Sequence, residues 1–358
     1  MNQLALNLLF KKANSTSRFY QFRKKQLIIL SLLMVILLIS FCLALACGSI
    51  HISFFEMLNN LFFDHSLNHM ILIHLRLPRI LATILIGASL AISGVLMQGI
   101  LRNPLADPAL LGMTSGASLM AVLFMLFITY LPFTNFLLLW GLPISAFIGS
   151  LMITWIIYRL SVRNSQPQIA LLVLAGVAIN ALAGAFIGLL TFFANDNELR
   201  SITFWSMGSF AQVNWWVLLT ALPLFIIALV FLRKIYAFLN AMSFGENQAK
   251  SFGIDINLEK KKAIIAIALL VGLSTAIAGP IGFIGLIIPH ILRLVVGCNH
   301  RILLPTSALA GAILLTIADT LARTIVSPSE LPIGLLTALI GSPYFIWLLI
   351  NQTKKGSI

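Results

Sequence analysis

The chain is 358 residues long, 60% hydrophobic and only 9% charged, with a mean hydropathy of +1.03. A soluble domain carries roughly 25% charged residues, so these proportions exclude a soluble globular protein and point to an integral membrane protein. The formal net charge of +13 would suggest nucleic acid in a soluble chain; here the basic residues lie between apolar runs, so they are expected to set topology, with no nucleic-acid partner.

The apolar runs are about 20 residues long and do not alternate with period two, which favours helices over a barrel. The predicted fold is therefore an all-α integral membrane protein. Residues 1–26 are expected to form a basic N-terminal tail. Ten transmembrane helices follow at 27–46, 80–100, 109–130, 136–158, 170–192, 215–232, 263–278, 284–297, 305–325 and 332–350. Together they make one ten-helix domain over 27–350, with a long loop at 233–262 and a short tail at 351–358. The eighth helix is the exception. The run Gly279-Pro280-Ile281-Gly282-Phe283-Ile284-Gly285 precedes it and Pro289 lies inside it. Glycines permit a tight bend and proline removes an amide donor, so 279–297 is expected to be a re-entrant turn leading into a short broken helix.

Basic residues favour the cytoplasmic side of a membrane protein. With both termini in the cytoplasm, only Arg76, Arg79, Arg200 and Arg323 of the 23 basic residues fall outside. Arg76 and Arg79 bracket a proline in "RLPR". They are either snorkelling interfacial side chains or a docking site for an acidic partner or anionic solute. Asp319 and Arg323 are four residues apart on one helix face, as a local ion pair or as functional groups in an expensive place.

The loop "RKIYAFLNAMSFGENQAKSFGIDINLEKKK" (233–262) suggests a short amphipathic helix, then a second helix carrying Gly245 to Lys250, then a break at Gly253. Phe244, Phe252 and Ile254 among its charges favour docking into another protein's groove over a plain surface loop. Arg102-Asn103-Pro104-Leu105-Ala106-Asp107-Pro108 is a tight internal turn, and Ser165-Gln166-Pro167-Gln168 is a second one. The three cysteines, Cys42, Cys47 and Cys298, show no metal-ligand spacing and fit small apolar packing residues. No metal site and no cofactor is expected. There is no G-x-x-x-x-G-K-[ST], H-E-x-x-H or G-x-S-x-G motif, and no chain of buried acids. The chain is expected not to be an enzyme, with no catalytic residue; energy for uphill movement would come from another subunit.

Several ordered motifs carry a family likeness: "RLPRILATILIGASLAISGVLMQGILRNPLADPALLG", "GPIGFIGLIIPHILRL", "HRILLPTSALAGA", "ADTLAR" and "ELPIGLLTALIGSPYFIWLL". From about Arg76 to Leu349 the chain resembles the permease subunits of ABC importers for iron–siderophore, haem and vitamin B12, and is close to the vitamin B12 type. The resemblance implies ten helices per subunit, a second permease subunit (expected here as a homodimer), two ABC ATPase subunits, and a periplasmic or lipid-anchored binding protein. It places the chain in the bacterial inner membrane, surrounded by lipid. It implies binding-protein docking at Arg76, Arg79 and Arg323, with Arg200 as an addition. It implies ATPase coupling through Gly245, Glu246, Gln248, Ala249 and Gly253, and a cytoplasmic gate at Asn103, Pro104 and Leu105 opposed by the Ser165–Gln168 turn. The function so implied is alternating-access import of a metal chelate, with an iron(III)–siderophore complex first and vitamin B12 or haem as alternatives. An ion-gradient-driven transporter is the remote alternative; it would need coupling-ion carboxylates beside broken helices.

Overall fold

The computed structural model describes residues 3–48, 67–128, 135–163 and 166–354. Thirteen helices are labelled here in chain order: α1 (Gln3–Ala46), α2 (Leu77–Leu101), α3 (Met113–Phe127), α4 (Asn135–Ser161), α5 (Ile169–Phe192), α6 (Asp196–Ser206), α7 (Trp215–Phe231), α8 (Ile235–Met242), α9 (Glu246–Ser251), α10 (Ile256–Ala278), α11 (Ile284–Val296), α12 (His300–Thr324) and α13 (Ile333–Lys354). A helical turn (Leu67–Met70) and a π-helical stretch (Ile71–Arg76) lead directly into α2. Two two-residue strands, Val162–Arg163 and Gln166–Pro167, pair antiparallel ahead of α5.

Each segment expected to be helical lies on a helix over most of its described residues, residues 129–130 of the third lying outside them. Among the described residues, six helical stretches are long and apolar enough to cross a membrane by length and composition. A seventh candidate is the pair α7 and α8, bent by 50°. The bend has a local cause: Lys234 takes a left-handed conformation, φ 65°. Three more apolar helices, within α3, α11 and α13, are shorter. Two boundaries differ from expectation. No break separates a tail from the first span, because α1 runs unbroken from Gln3 to Ala46. The chain reversal in the eighth segment lies wholly at 279–283, and α11 continues through Pro289.

The centre of the bundle is α2, α10 and α12. Nearly three quarters of the apolar window is buried in α2 and in α10, against 17% in α5. Glycine explains how α2 and α12 come so close. A side chain built at Gly87 would run into the Gly311 main chain, and one at Gly311 into Gly87. Arg79 meets Asp319, and Thr83 Oγ1 lies 3.0 Å from Thr316 Oγ1. These pairs fix an antiparallel register, with Gly87 opposite Gly311 about one turn further along. Small residues at such contacts let backbones touch, which maximises van der Waals packing where water supplies no driving force.

The reversal at 279–283 lies against the 207–209 turn, which is tied by backbone bonds to the end of α10 and to the start of α13. Ser209 N–H donates to the Ala278 carbonyl at 2.8 Å, while Ile333 and Gly334 donate to the Gly208 and Met207 carbonyls at 3.0 Å each. Gly279 (φ 73°) and Phe283 (φ 69°) take left-handed conformations there. Glycine does so freely; a phenylalanine does so only where surrounding structure dictates it.

The variant Gly87→Leu should therefore be destabilised by at least the roughly 1–3 kcal/mol of core overpacking, seen as a lower melting temperature in detergent. Gly282→Ala, where a built side chain meets nothing within 4 Å, should melt with the native protein.

Candidate functional site

Arginine dominates one end of the bundle, where α1 ends, α2 begins and α12 ends. Pro78 sits in the first turn of α2, so the helix can start directly after Arg76 and project Arg79 one turn later. Arg79 is nearly buried, at 9% exposure. Its Nη2 donates to Asp319 Oδ1 at 2.8 Å, its Nε reaches both Asp319 oxygens at 3.1 and 3.2 Å, and its Nη1 donates to both Glu330 oxygens at 2.9 Å. Asp319 also faces Arg323, Nε to Oδ2 at 3.2 Å. The two remaining guanidiniums turn to α1: Arg323 Nη2 donates to the Ala44 carbonyl at 3.2 Å, and Arg76 Nη1 to the carbonyls of Leu45 and Ala46. These are terminal carbonyls of α1, which lack helical donors and carry the negative end of the helix dipole.

Of the residues expected to dock a partner, the structure thus brings Arg76, Arg79 and Arg323 together, buried and engaged within the chain. Arg200 is separate and exposed, on α6. That short helix was not expected, although its capping box was legible: Asn195 accepts from Glu198 N–H and Glu198 reaches back to the Asn195 amide. Glu330 was also missed as the second partner of Arg79. α7 is tied to the same end, with Trp215 Nε1 donating to the Ile73 carbonyl of the π-helical stretch at 2.8 Å.

The opposite end carries the loop 233–262. α8 is fastened to the start of α12: Asn240 Oδ1 accepts from the His300 amide at 2.9 Å, and Asn240 Nδ2 donates to Asn299 at 3.1 Å. α9 follows, capped by Gly245 at φ 115°. Ala249 is fully buried beneath α9, whereas Gln248 is exposed. Glu246 accepts from Lys260 at 2.7 Å, which satisfies a lysine that is only 4% exposed. Phe244 and Phe252, on either side of α9, are mostly exposed and meet edge to face at 6.4 Å. Beside them an open groove of about 590 Å³ lies between Arg163, Gln168 and the Glu246–Lys260 pair.

The turn after α2 is at the same end. Arg102 (φ 52°) closes the helix, and Asn103 Oδ1 accepts from the Leu105 amide at 2.9 Å. Asn103 and Pro104 are exposed and Leu105 is half-buried. Asp107 accepts from the Ala109 amide at 2.7 Å. Burial pushes the Asp107 carboxyl up, against the pull of that amide. It lines a cleft of about 280 Å³ with Leu90, Thr114, Gly282, Phe283 and Phe345. In the second turn, Gln168 starts α5; Ser165 lies outside the described residues. Among the described residues, no group of three or more His, Cys, Asp or Glu is placed to hold a metal ion.

The model of the FecCD transport family matches residues 36–351. The chain belongs to that family. It is 46% identical over 289 residues to the hemin transport system permease protein HmuU of Yersinia pestis, covering 80% of this chain and 84% of that one. It is 37% identical over 323 residues to the vitamin B12 import system permease protein BtuC of Vibrio vulnificus, covering 90% and 94%. A solved metal-chelate type ABC transporter in an inward-facing conformation superposes with a TM-score of 0.78 at 34% identity, over 90% of this chain and 99% of that one. The likeness read from "RLPR", "GPIGFIG" and "ELPIG" is thereby borne out at the level of the family.

Removing one partner from a buried ion cluster leaves an uncompensated charge, which costs roughly 3–5 kcal/mol. Asp319→Asn should lose about that much stability, since it strips both Arg79 and Arg323. Glu330→Gln, at a site open to solvent, should lose about 0–1 kcal/mol. Melting temperatures of the two purified variants check the order.

Proposed function

We propose that this chain is the membrane-spanning permease subunit of an ATP-driven importer that carries a metal chelate across the inner membrane by alternating access. The family match over residues 36–351 is the observation that carries the reading. The chain makes ten crossings with both termini in the cytoplasm, so that the arginine end faces outward and the 233–262 loop inward. A binding protein delivers the chelate at the outer end, and ABC ATPase subunits act on the inner end. The passage is formed between two copies rather than within one. α5 suits such a pairing: it is mostly exposed, and Gly184 and Gly188 form an open Gly-x-x-x-Gly face.

For the cargo, the relatives named for hemin and for vitamin B12 favour a metal-bound tetrapyrrole, with haem first, over the iron–siderophore complex expected from sequence. A coupling-ion transporter fits less well, because the Asp319 carboxylate is already occupied by two arginines.

Docking of the binding protein uses charge. The guanidiniums of Arg76, Arg79 and Arg323 are gathered at the outer end, and Arg200, exposed on α6, offers a positive charge directly to a partner. Coupling to the ATPase uses Gly245 to Gly253, presented on the Ala249 anchor with Phe244 and Phe252 outward. The Asn103–Leu105 turn acts as the inner gate, opposed by the 165–168 turn.

Cells lacking their own copy of this gene, supplied with the chain, its ATPase and its binding protein, should regain accumulation of labelled hemin. Recovery of cobalamin or ferric siderophore uptake instead would move the substrate; recovery of none by an assembled complex would overturn the permease reading. In that complex, Arg200→Glu should weaken binding-protein affinity several-fold, in the range of an exposed ion pair. Phe252→Ser should release the ATPase on purification while leaving the permease fold intact. Reversal at Arg79 would not test docking, because it would set a third carboxylate beside Asp319 and Glu330.

A further inference from the structure

Pro289 sets a hydrogen-bond accounting problem in α11. It has no amide hydrogen, so the Gly285 carbonyl one turn earlier has no i+4 donor in its own helix. An unpaired buried carbonyl is costly, and more so where no water can reach it. The missing donor comes from α2. Gln98, only 2% exposed, directs its Nε2 at the carbonyls of Leu286 (3.2 Å) and Gly285 (3.4 Å). Its Oε1 accepts from Arg293 Nη1 at 3.0 Å, one turn beyond the proline. A single amide therefore spans the weak point of α11 from both sides.

Backbone contact puts Gln98 there. Gly94 lies one turn before it on the same helix face, and a side chain built at Gly94 would run into the Gly285 carbonyl. The main chain of Gln98 has a further task. Its carbonyl receives the amides of both Arg102 and Asn103, the second at 3.2 Å, where α2 ends and the Asn103–Leu105 turn begins.

We propose that Gln98 is a positioning residue for transport: it splints α11 at Pro289 and joins it to the gate turn, so that the two move as one body. The proposal rests on the reading of the chain as a permease gated at Asn103–Leu105.

A double-mutant cycle tests it. Gln98→Met keeps the volume and removes both polar ends, whereas Pro289→Ala gives the Gly285 carbonyl a donor of its own. Two quantities are measured: the melting temperature of the purified permease, which needs no partner, and uptake per ATP hydrolysed in the assembled importer. Q98M should lower the melting temperature and reduce uptake per ATP about tenfold in the native background, and most of both losses should vanish with P289A, as expected for directly interacting residues. Equal losses in both backgrounds would show additive packing and overturn the splint. Native uptake per ATP in Q98M would overturn the transport role. If P289A does not fold, Gln98→Glu replaces it: that side chain can still accept from Arg293 but cannot donate to the carbonyls. It should be as impaired as Q98M, and native behaviour would overturn the proposal. An importer whose native chain moves no chelate would fail the permease reading, and the melting-temperature cycle would still decide whether Gln98 splints α11.

Discussion

Five charged side chains at one end of an apolar bundle constrain the rest of this molecule. Arg76, Arg79, Asp319 and Arg323 are buried where ionised groups are expensive and find partners within the chain, while Glu330 reaches Arg79 from the solvent-exposed edge. Asp319 answers two arginines at once, Glu330 takes the outer edge of Arg79, and the end of α1 supplies carbonyls to Arg76 and Arg323. The cluster therefore does two things through one set of bonds. It pins the end of α1 to α2 and α12, and it sets the register in which α2 lies along α12. Once Arg79 is fixed opposite Asp319, Thr83 falls opposite Thr316 and Gly87 opposite Gly311. The backbone contact in mid-bundle is thus the downstream consequence of a polar contact at its edge.

α2 carries a second close approach further along, where Gly94 meets Gly285. The helix is held by charge at one end, by main-chain contact at two glycines, and by the Gln98 amide near the other end. It is the element against which both α11 and α12 are indexed. This explains why so much of it is buried, and why its apolar run is rich in small residues rather than in leucine alone.

The apolar runs announced nearly every helix, because hydropathy over twenty residues is a strong signal and helices are the only open structures that satisfy their own backbone in lipid. The bend at Lys234 and the helix at Glu246 were legible too, in the change from apolar to mixed sequence. What escaped was contact between distant segments. Nothing local in "ELPIG" says that Glu330 reaches Arg79, 251 residues away. Gln98 looks like a stray polar residue in "GVLMQGIL" until α11 is laid beside it. The three arginines were legible as unusual, but not as buried: a sequence shows which charges lie near a membrane boundary, and only the fold shows which of them already have partners. The Asn195 capping box was present and overlooked, since a short amphipathic helix between two apolar ones contributes little to a hydropathy profile.

The two ends of the bundle differ in the kind of surface they present, and the difference follows from what each end has already satisfied internally. At the arginine end the strongest described donors are committed to the chain's own carboxylates and carbonyls, so a partner there would meet the field of the clustered charges more than free hydrogen-bonding groups. Such a field orients and accelerates encounter without tight holding, which suits a carrier that must arrive loaded and leave empty. At the loop end the charges of the Glu246–Lys260 pair cancel, Ala249 anchors α9, and two phenylalanine rings remain outward with no polar obligation. An apolar pair on a short, anchored helix suits a groove that stays engaged while it moves. On the proposed reading, contact by charge at the arginine end and contact by burial at the loop end divide the labour between a delivered cargo and an attached motor.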